Sequence, residues 1–182
     1  MQAGISTLGI TFGYGIESTA GTKPTTFKQL HRINKLGGIS ISNEKIDASA
    51  LEDFVKRYVQ GIGDTGGEFP VTVNFTPETK KEWADVISAY KALTGGKAMW
   101  FETIIPGFDE SFFIVAQPPT AIPQPELDQN NLLTIDMNLT IDDYKGMETT
   151  VALTTGGITG SDDHKSANDQ SKNTTDAGTT KP

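Results

Sequence analysis

The chain has 182 residues, 36% hydrophobic and 21% charged, a balance that supports one packed core and a polar tail rather than two full domains. It carries a net charge of −8 and no cysteine, which excludes a disulfide framework, a thiolate metal site and a cysteine nucleophile, and argues against a protein built to hold phosphate backbones. No apolar run approaches the roughly 18 residues needed to span a membrane, and the opening stretch lacks the basic-then-apolar pattern of a secretion signal. Nineteen glycines and nine prolines point to many turns and a β-rich fold.

Residues 1–26 contain Gly4, Gly9, Gly13, Gly15, Gly21 and Pro24, a composition that predicts an extended arm with little regular structure. Two early strands are expected over 27–33 and 36–42, with Gly37-Gly38 as a turn or bulge between them. The stretch 43–67 reads as a long polar excursion pegged by Ile46, Leu51, Phe54, Val55 and Tyr58, ending in the glycine-rich 61–67. An excursion of this length without an element of its own is usually functional. It returns on an alternating strand: Phe69, Val71, Val73 and Phe75 on one side, Thr72 and Asn74 on the other.

A helix is expected over 77–94. Thr76 suits the N-cap, Pro77 the first helical position, and Glu78 the positive end of the helix dipole. Trp83, Val86, Ile87, Tyr90 and Leu93 make one apolar stripe, and Gly95-Gly96 closes the element. A hairpin over 98–105 and 110–117 is apolar at nearly every position, as strands covered on both faces are. After a proline-rich connection, 131–142 alternates again, with Leu133, Ile135, Met137, Leu139 and Ile141 against Thr134, Asp136, Asn138, Thr140 and Asp142. From about 155 to 182 the only large apolar residue is Ile158, so this tail is expected to be flexible.

Little in the chain offers chemistry. The G-x-G-x-x-G of 61–66 precedes a strand, whereas a dinucleotide loop opens a helix. The two histidines, His31 and His164, are far apart in sequence, and nothing brings together the three or four ligands a metal needs. The acidic pairs Glu52-Asp53, Asp109-Glu110 and Asp142-Asp143 fall in loops and strands where neighbouring carboxylates diverge. No cofactor is expected, and no catalytic residue. The informative feature is the wet face of the two alternating strands: Thr72, Asn74, Thr134, Asp136, Asn138, Thr140 and Asp142 include no lysine or arginine.

Two runs carry a resemblance: Lys45-Ile46-Asp47-x-Ser49-x-Leu51-x-Asp53, and Tyr58-Val59-x-Gly61-Ile62-x-Asp64-x-Gly66, followed by the strand ending at Phe75. In this order they resemble the major tail tube protein of long-tailed, siphovirus-type bacteriophages, and the likeness extends loosely over 11–141. It departs from the family pattern at Ala48, Ala50 and Gln60. The resemblance implies an α+β, mainly β fold, a β-sandwich or half-open barrel with one packed helix over 27–154, assembling into stacked hexameric rings. It implies a non-enzymatic virion protein of the phage tail, made in the host bacterial cytoplasm. Its partners would be further copies of itself and other tail proteins (tape measure, tail terminator, baseplate), with DNA passing through and no membrane contact. Ile46, Asp47, Leu51, Phe54, Tyr58, Ile62 and Asp64 would make contacts between subunits and rings, and Thr72, Asn74, Thr134, Asp136, Asn138 and Thr140 would face a lumen. Within the same class a tube or baseplate component of a contractile or secretion system stays open. Two other classes are a carbohydrate-binding β-sandwich using Trp83 or Trp100, and an enzyme of unrecognised type, against which the two histidines and the missing cysteine argue.

Overall fold

The computed structural model describes residues 4–155. In chain order the elements are β1 (Thr11–Ile16), β2 (Phe27–Leu30), β3 (Ile33–Leu36), β4 (Ser42–Asp47), β5 (Tyr58–Asp64), β6 (Glu68–Phe69) and β7 (Val71–Asn74). There follow α1 (Pro77–Lys91), β8 (Met99–Ile104), β9 (Glu110–Gln117), β10 (Thr134–Asp136), β11 (Leu139–Thr149) and β12 (Leu153–Thr154). The fold is mainly β with one helix, as the sequence predicts. Its strands form a seven-stranded sheet in the order β12-β2-β1-β8-β9-β11-β6, a three-stranded sheet β10-β7-β3, and a separate pair β4-β5.

The β8–β9 hairpin lies mid-sheet and is covered on both faces, which is why it reads as continuously apolar. On one face Met99, Phe101, Ile114 and Ala116 join Phe12, Tyr14 and Leu30 in the main core. On the other, Trp100, Phe113 and Val115 pack with Phe27 in a second, smaller core. The three-stranded sheet and the helix close the main core. Trp83, Val86 and Ile87 of α1 are buried there, contributing on the order of 5–9 kcal/mol gross at about 1.5–3 each. The helix starts as its sequence dictates. Thr76 Oγ1 accepts from the Thr79 amide at 3.2 Å, and Thr79 Oγ1 accepts from the Thr76 amide at 2.8 Å.

Four expectations are corrected. The supposed N-terminal arm contains β1, a strand buried between β2 and β8. Its glycines mark close packing rather than turns: a Cβ on Gly13 would lie 2.6 Å from the Lys28 carbonyl oxygen, and one on Gly15 would lie 2.9 Å from the Phe27 ring. The strand expected over 27–33 breaks at Arg32, whose φ of 57° turns the chain into β3, and 37–41 forms no strand. The excursion 43–67 is no irregular loop but the β4–β5 pair, with Gly61 and Gly63 inside β5.

The fourth correction concerns the two alternating runs, each expected as one strand. Each changes sheet part-way. Phe69 pairs with Leu139 in the large sheet, whereas Val71–Asn74 pairs with Thr134–Asp136 in the small one. Pro70 stands at the first change, where its missing amide is not needed, and its carbonyl accepts from Gly37 at 2.8 Å. Residues 137–138 make the second. The two corners lie side by side, so a paired ribbon bends from one sheet into the other, with the Met137 amide donating to the Val71 carbonyl at 2.7 Å.

Candidate assembly surfaces

The β4–β5 hairpin joins neither larger sheet. A lone two-stranded pair is marginal in water, so its tip needs local support, and the sequence supplies it. Asp47 Oδ1 accepts from the Ser49 amide at 3.0 Å, Asp53 Oδ2 from the Ala50 amide at 2.9 Å, and Ser49 Oγ from the Arg57 amide at 2.9 Å. Lys56 pairs with Asp47 and Arg57 with Asp53, each at 3.3 Å. The Ser49 hydrogen bonds, followed by Lys56, hold the Asp47 carboxyl below its ordinary range. The polar atoms of the tip are thus turned on one another, and its apolar side chains are left outside. Leu51 and Phe54 have relative exposures of 111% and 104%, and Val55, Tyr58, Val59, Ile62 and Ile46 are exposed as well.

The seven residues expected to make contacts therefore share one projecting element but divide by task. Leu51 and Phe54 crown the tip. Ile46 faces outward opposite Val59, Tyr58 alternates to the reverse side opposite Asp47, and Ile62 lies in the register shift between Gln60 and Gly63. Asp47 braces the tip, and Asp64 Oδ1 accepts from the Gly66 amide at 2.8 Å, closing the turn back to the body. The excursion was expected to be pegged by its apolar residues; in the structure these same residues are its outermost. Val59 extends the set and was legible as an apolar neighbour of Tyr58.

The three-stranded sheet turns Val71, Val73 and Ile135 into the core and presents a polar face on its other side. Thr134 stands opposite Asn74 and Asp136 opposite Thr72. Thr72 Oγ1 donates to Asp136 Oδ1 at 2.7 Å, and Asn34 Nδ2 donates to Asn74 Oδ1 at 2.8 Å. Four of the six residues expected to face a lumen are thus brought together. Asn138 lies at the corner, and Thr140 belongs to the large sheet, opposite Glu68 and Gln117. The sequence reading missed β3, which adds Asn34 and sets Lys35 opposite Thr72, so this surface carries one base. In this small sheet β10 and β3 are both edge strands.

Among the described residues no three histidines or acids converge as a metal set. His31 instead bonds α1: its Nδ1 lies 2.6 Å from Glu82 Oε1, and its amide donates to Glu82 Oε2 at 3.1 Å. His164 and the 155–182 tail, save residue 155, lie outside the described residues. Trp83 and Trp100 are both buried, so neither offers a sugar platform. Two buried acids went unforeseen. Burial alone would raise the Glu17 carboxyl, but donors from Trp100 Nε1 at 2.8 Å, Ala98 N at 3.0 Å and Gly21 N at 2.9 Å bring it below its ordinary value. Glu102, fully enclosed, is pushed up by burial, against one backbone donor, the Val151 amide.

No family model and no curated protein matches the sequence. Solved structures do. A chain of an extracellular contractile injection system, the PVC sheath–tube complex in its extended state, aligns with a TM-score of 0.52 at 12% identity, covering 82% of this chain and 94% of that one. A chain from the tail of an empty GTA particle of C6 symmetry aligns at 0.49 and 14% identity, covering 78% and 95%. One from the anti-feeding prophage baseplate aligns at 0.43 and 13%, covering 82% and 98%. At these identities the PVC likeness establishes a common fold.

Proposed function

We propose that this chain is a structural subunit of a phage-like tail tube, polymerising with copies of itself into stacked hexameric rings. The observation that carries the proposal is the 42–64 hairpin. Its polar groups are internally satisfied while Leu51, Phe54 and Val55 stand uncovered, so it is an ordered element that lacks only a partner. It spans 23 residues, within the roughly 20–30 that one side of a standard interface contributes. The open edges of β10 and β3 supply the lateral joint: pairing β10 of one copy with β3 of the next extends the small sheet around a ring and removes both edges. The polar face of that sheet, with Thr72, Asn74, Thr134 and Asp136, then lines the bore, and Asn138 and Thr140 continue it past the corner. A net charge of −8 suits a wall along which DNA slides without sticking. Tape measure, terminator and baseplate proteins are the further partners this role requires, and the assembled tail of a virion is its location.

The shared fold with the PVC chain favours a second version of the same role, the inner tube of a contractile system. There the outer surface would carry a sheath. Electron microscopy of purified full-length protein at rising concentration tests the common reading: rings and filaments are expected. The variant with Leu51→Asp and Phe54→Asp should keep its circular dichroism spectrum and form no filaments. Wild-type protein that stays monomeric at millimolar concentration, or filaments of normal length from the double variant, would overturn the reading.

A further inference from the structure

The second core, on the opposite side of the large sheet from the helix, is roofed by the last described stretch of chain. Val151 and Leu153 pack on Phe27, Trp100, Phe113 and Val115, and β12 runs parallel to β2, with Leu153 opposite Phe27. This strap, residues 151–154, is held lightly. Thr154 Oγ1 donates to the Phe27 carbonyl at 2.8 Å, and at its entrance Thr150 Oγ1 lies 2.6 Å from Ser111 Oγ. Leu153 sits so close over β1 that a Cβ on Gly13 would come within 2.7 Å of it.

Beneath the strap lies Glu102. It occupies the middle of β8, opposite Gly13 of β1 and Phe113 of β9, with none of its surface exposed. Its Oε1 accepts from the Val151 amide at 2.9 Å, and its Oε2 has no hydrogen-bond partner among the described residues. A carboxyl so placed is expensive to ionise, because a buried charge needs compensation that a single backbone donor does not provide. The groups facing it from the surrounding elements are few. β1 offers Gly13, β9 offers Ser111 and Phe113, and the strap offers Val151. The nearest cation, Lys23 of the β1–β2 connection, is engaged by the Thr149 carbonyl at 2.9 Å, by Glu148 of β11 at 3.1 Å and by the Phe113 ring.

We propose that Glu102 is an ionisable clasp for the strap, which lies closed over the second core while the carboxyl is neutral and lifts when it becomes charged. Lifting gives the carboxylate the water it lacks. It also leaves β2 as an open sheet edge beside Phe27 and Phe113, the kind of margin to which a strand from a second copy adds.

The direction follows from linkage. Burial, the largest influence on Glu102, raises its carboxyl above the ordinary value, outweighing the Val151 amide, the nearby Ser111 hydroxyl and Lys23. The closed state is therefore at full strength below the ordinary glutamate value. It weakens as pH rises from there through the raised, closed-state value, and then levels off.

Hydrogen exchange on the full-length protein between about pH 4 and pH 8, corrected for intrinsic amide chemistry, tests this. Protection of the Val151, Leu153 and Thr154 amides should fall with rising pH, by at most about tenfold per pH unit, between the ordinary and the raised glutamate values and then level off, while the Ile114 and Val115 amides of β9 stay level. In Glu102→Gln the strap's protection should not vary with pH. Strap protection that is flat in the wild type, that falls in step with β9, or that falls equally in Glu102→Gln would overturn the clasp. If Glu102→Gln fails to fold, the wild-type contrast between strap and β9 decides alone.

Discussion

In the sandwich body Phe12, Phe27, Phe101 and Phe113 are enclosed almost completely, whereas in the hairpin Phe54 is as open as in an unfolded chain. The same residue type serves opposite ends. In the body, apolar side chains converge between sheets and helix and supply the stability, while polar groups face out. In the hairpin, the hydroxyls, carboxylates and amides of 47–57 bond to one another, and the apolar side chains face out. The body covers its apolar side chains with its own chain, and the hairpin leaves its own uncovered.

That contrast makes quantitative demands. Phe101→Ala should cost the body about 3–5 kcal/mol, read from urea unfolding, because it empties a site stacked on Phe12 at 5.7 Å between ring centres. Glu17→Ala should cost about 1–3 kcal/mol by stranding the Trp100, Ala98 and Gly21 donors. The sign of its pH dependence is set by the lowered carboxyl. Its contribution is present above the ordinary glutamate value and is lost as pH falls through the folded one, so the variant's acid unfolding curve should be shallower. Thr76→Ala should remove the helix cap for about 1 kcal/mol. Smallest of all, Leu51→Asp with Phe54→Asp should shift unfolding by under about 0.5 kcal/mol, since it disturbs no contact of the monomer. A large destabilisation from that pair would mean the tip is part of the body after all. Asp136→Lys with Asn138→Lys sharpens the contrast further: assembly should persist while DNA ejection from tails carrying the variant slows, and unchanged ejection kinetics would remove the bore assignment.

Some of this was legible beforehand. The helix announced itself through Thr76, Pro77 and the Trp83-to-Leu93 stripe, and the β8–β9 hairpin through its unbroken apolar arms. Alternation correctly separated wet from dry along 69–75 and 135–142, whereas Leu133, expected on the dry side, is exposed. It was blind to the corners at Pro70 and 137–138, because the period of two continues through each bend: Phe69, Val71 and Val73 are all buried, and so are Ile135, Met137 and Leu139. Glycine misled twice. Gly13 and Gly15, and Gly61 and Gly63, resemble turn punctuation, yet all four sit in strands; at Gly13 and Gly15 a neighbouring carbonyl or ring comes too near for a side chain, and at Gly61 and Gly63 the fit is tight against Glu44, Asn43 and Ile41. For the candidate surfaces, the sequence marked the apolar residues of 43–67 as pegs of an irregular excursion and as contacts to other subunits; the structure places them on a hairpin with their side chains exposed. Which way an apolar residue points in an isolated hairpin depends on whether a third layer exists, and no local pattern records that. Glu17 and Glu102 escaped notice for the same reason, since their surroundings come from distant strands.

The paired ribbon that folds around Pro70 and residues 137–138 ties the two sheets by two adjacent covalent links and a backbone hydrogen bond between them. Such an elbow resists slip. A pull on the free margin of β10 or β3 would reach the large sheet as a tilt of the whole subunit rather than as shear through its interior, so the molecule answers load as a lever.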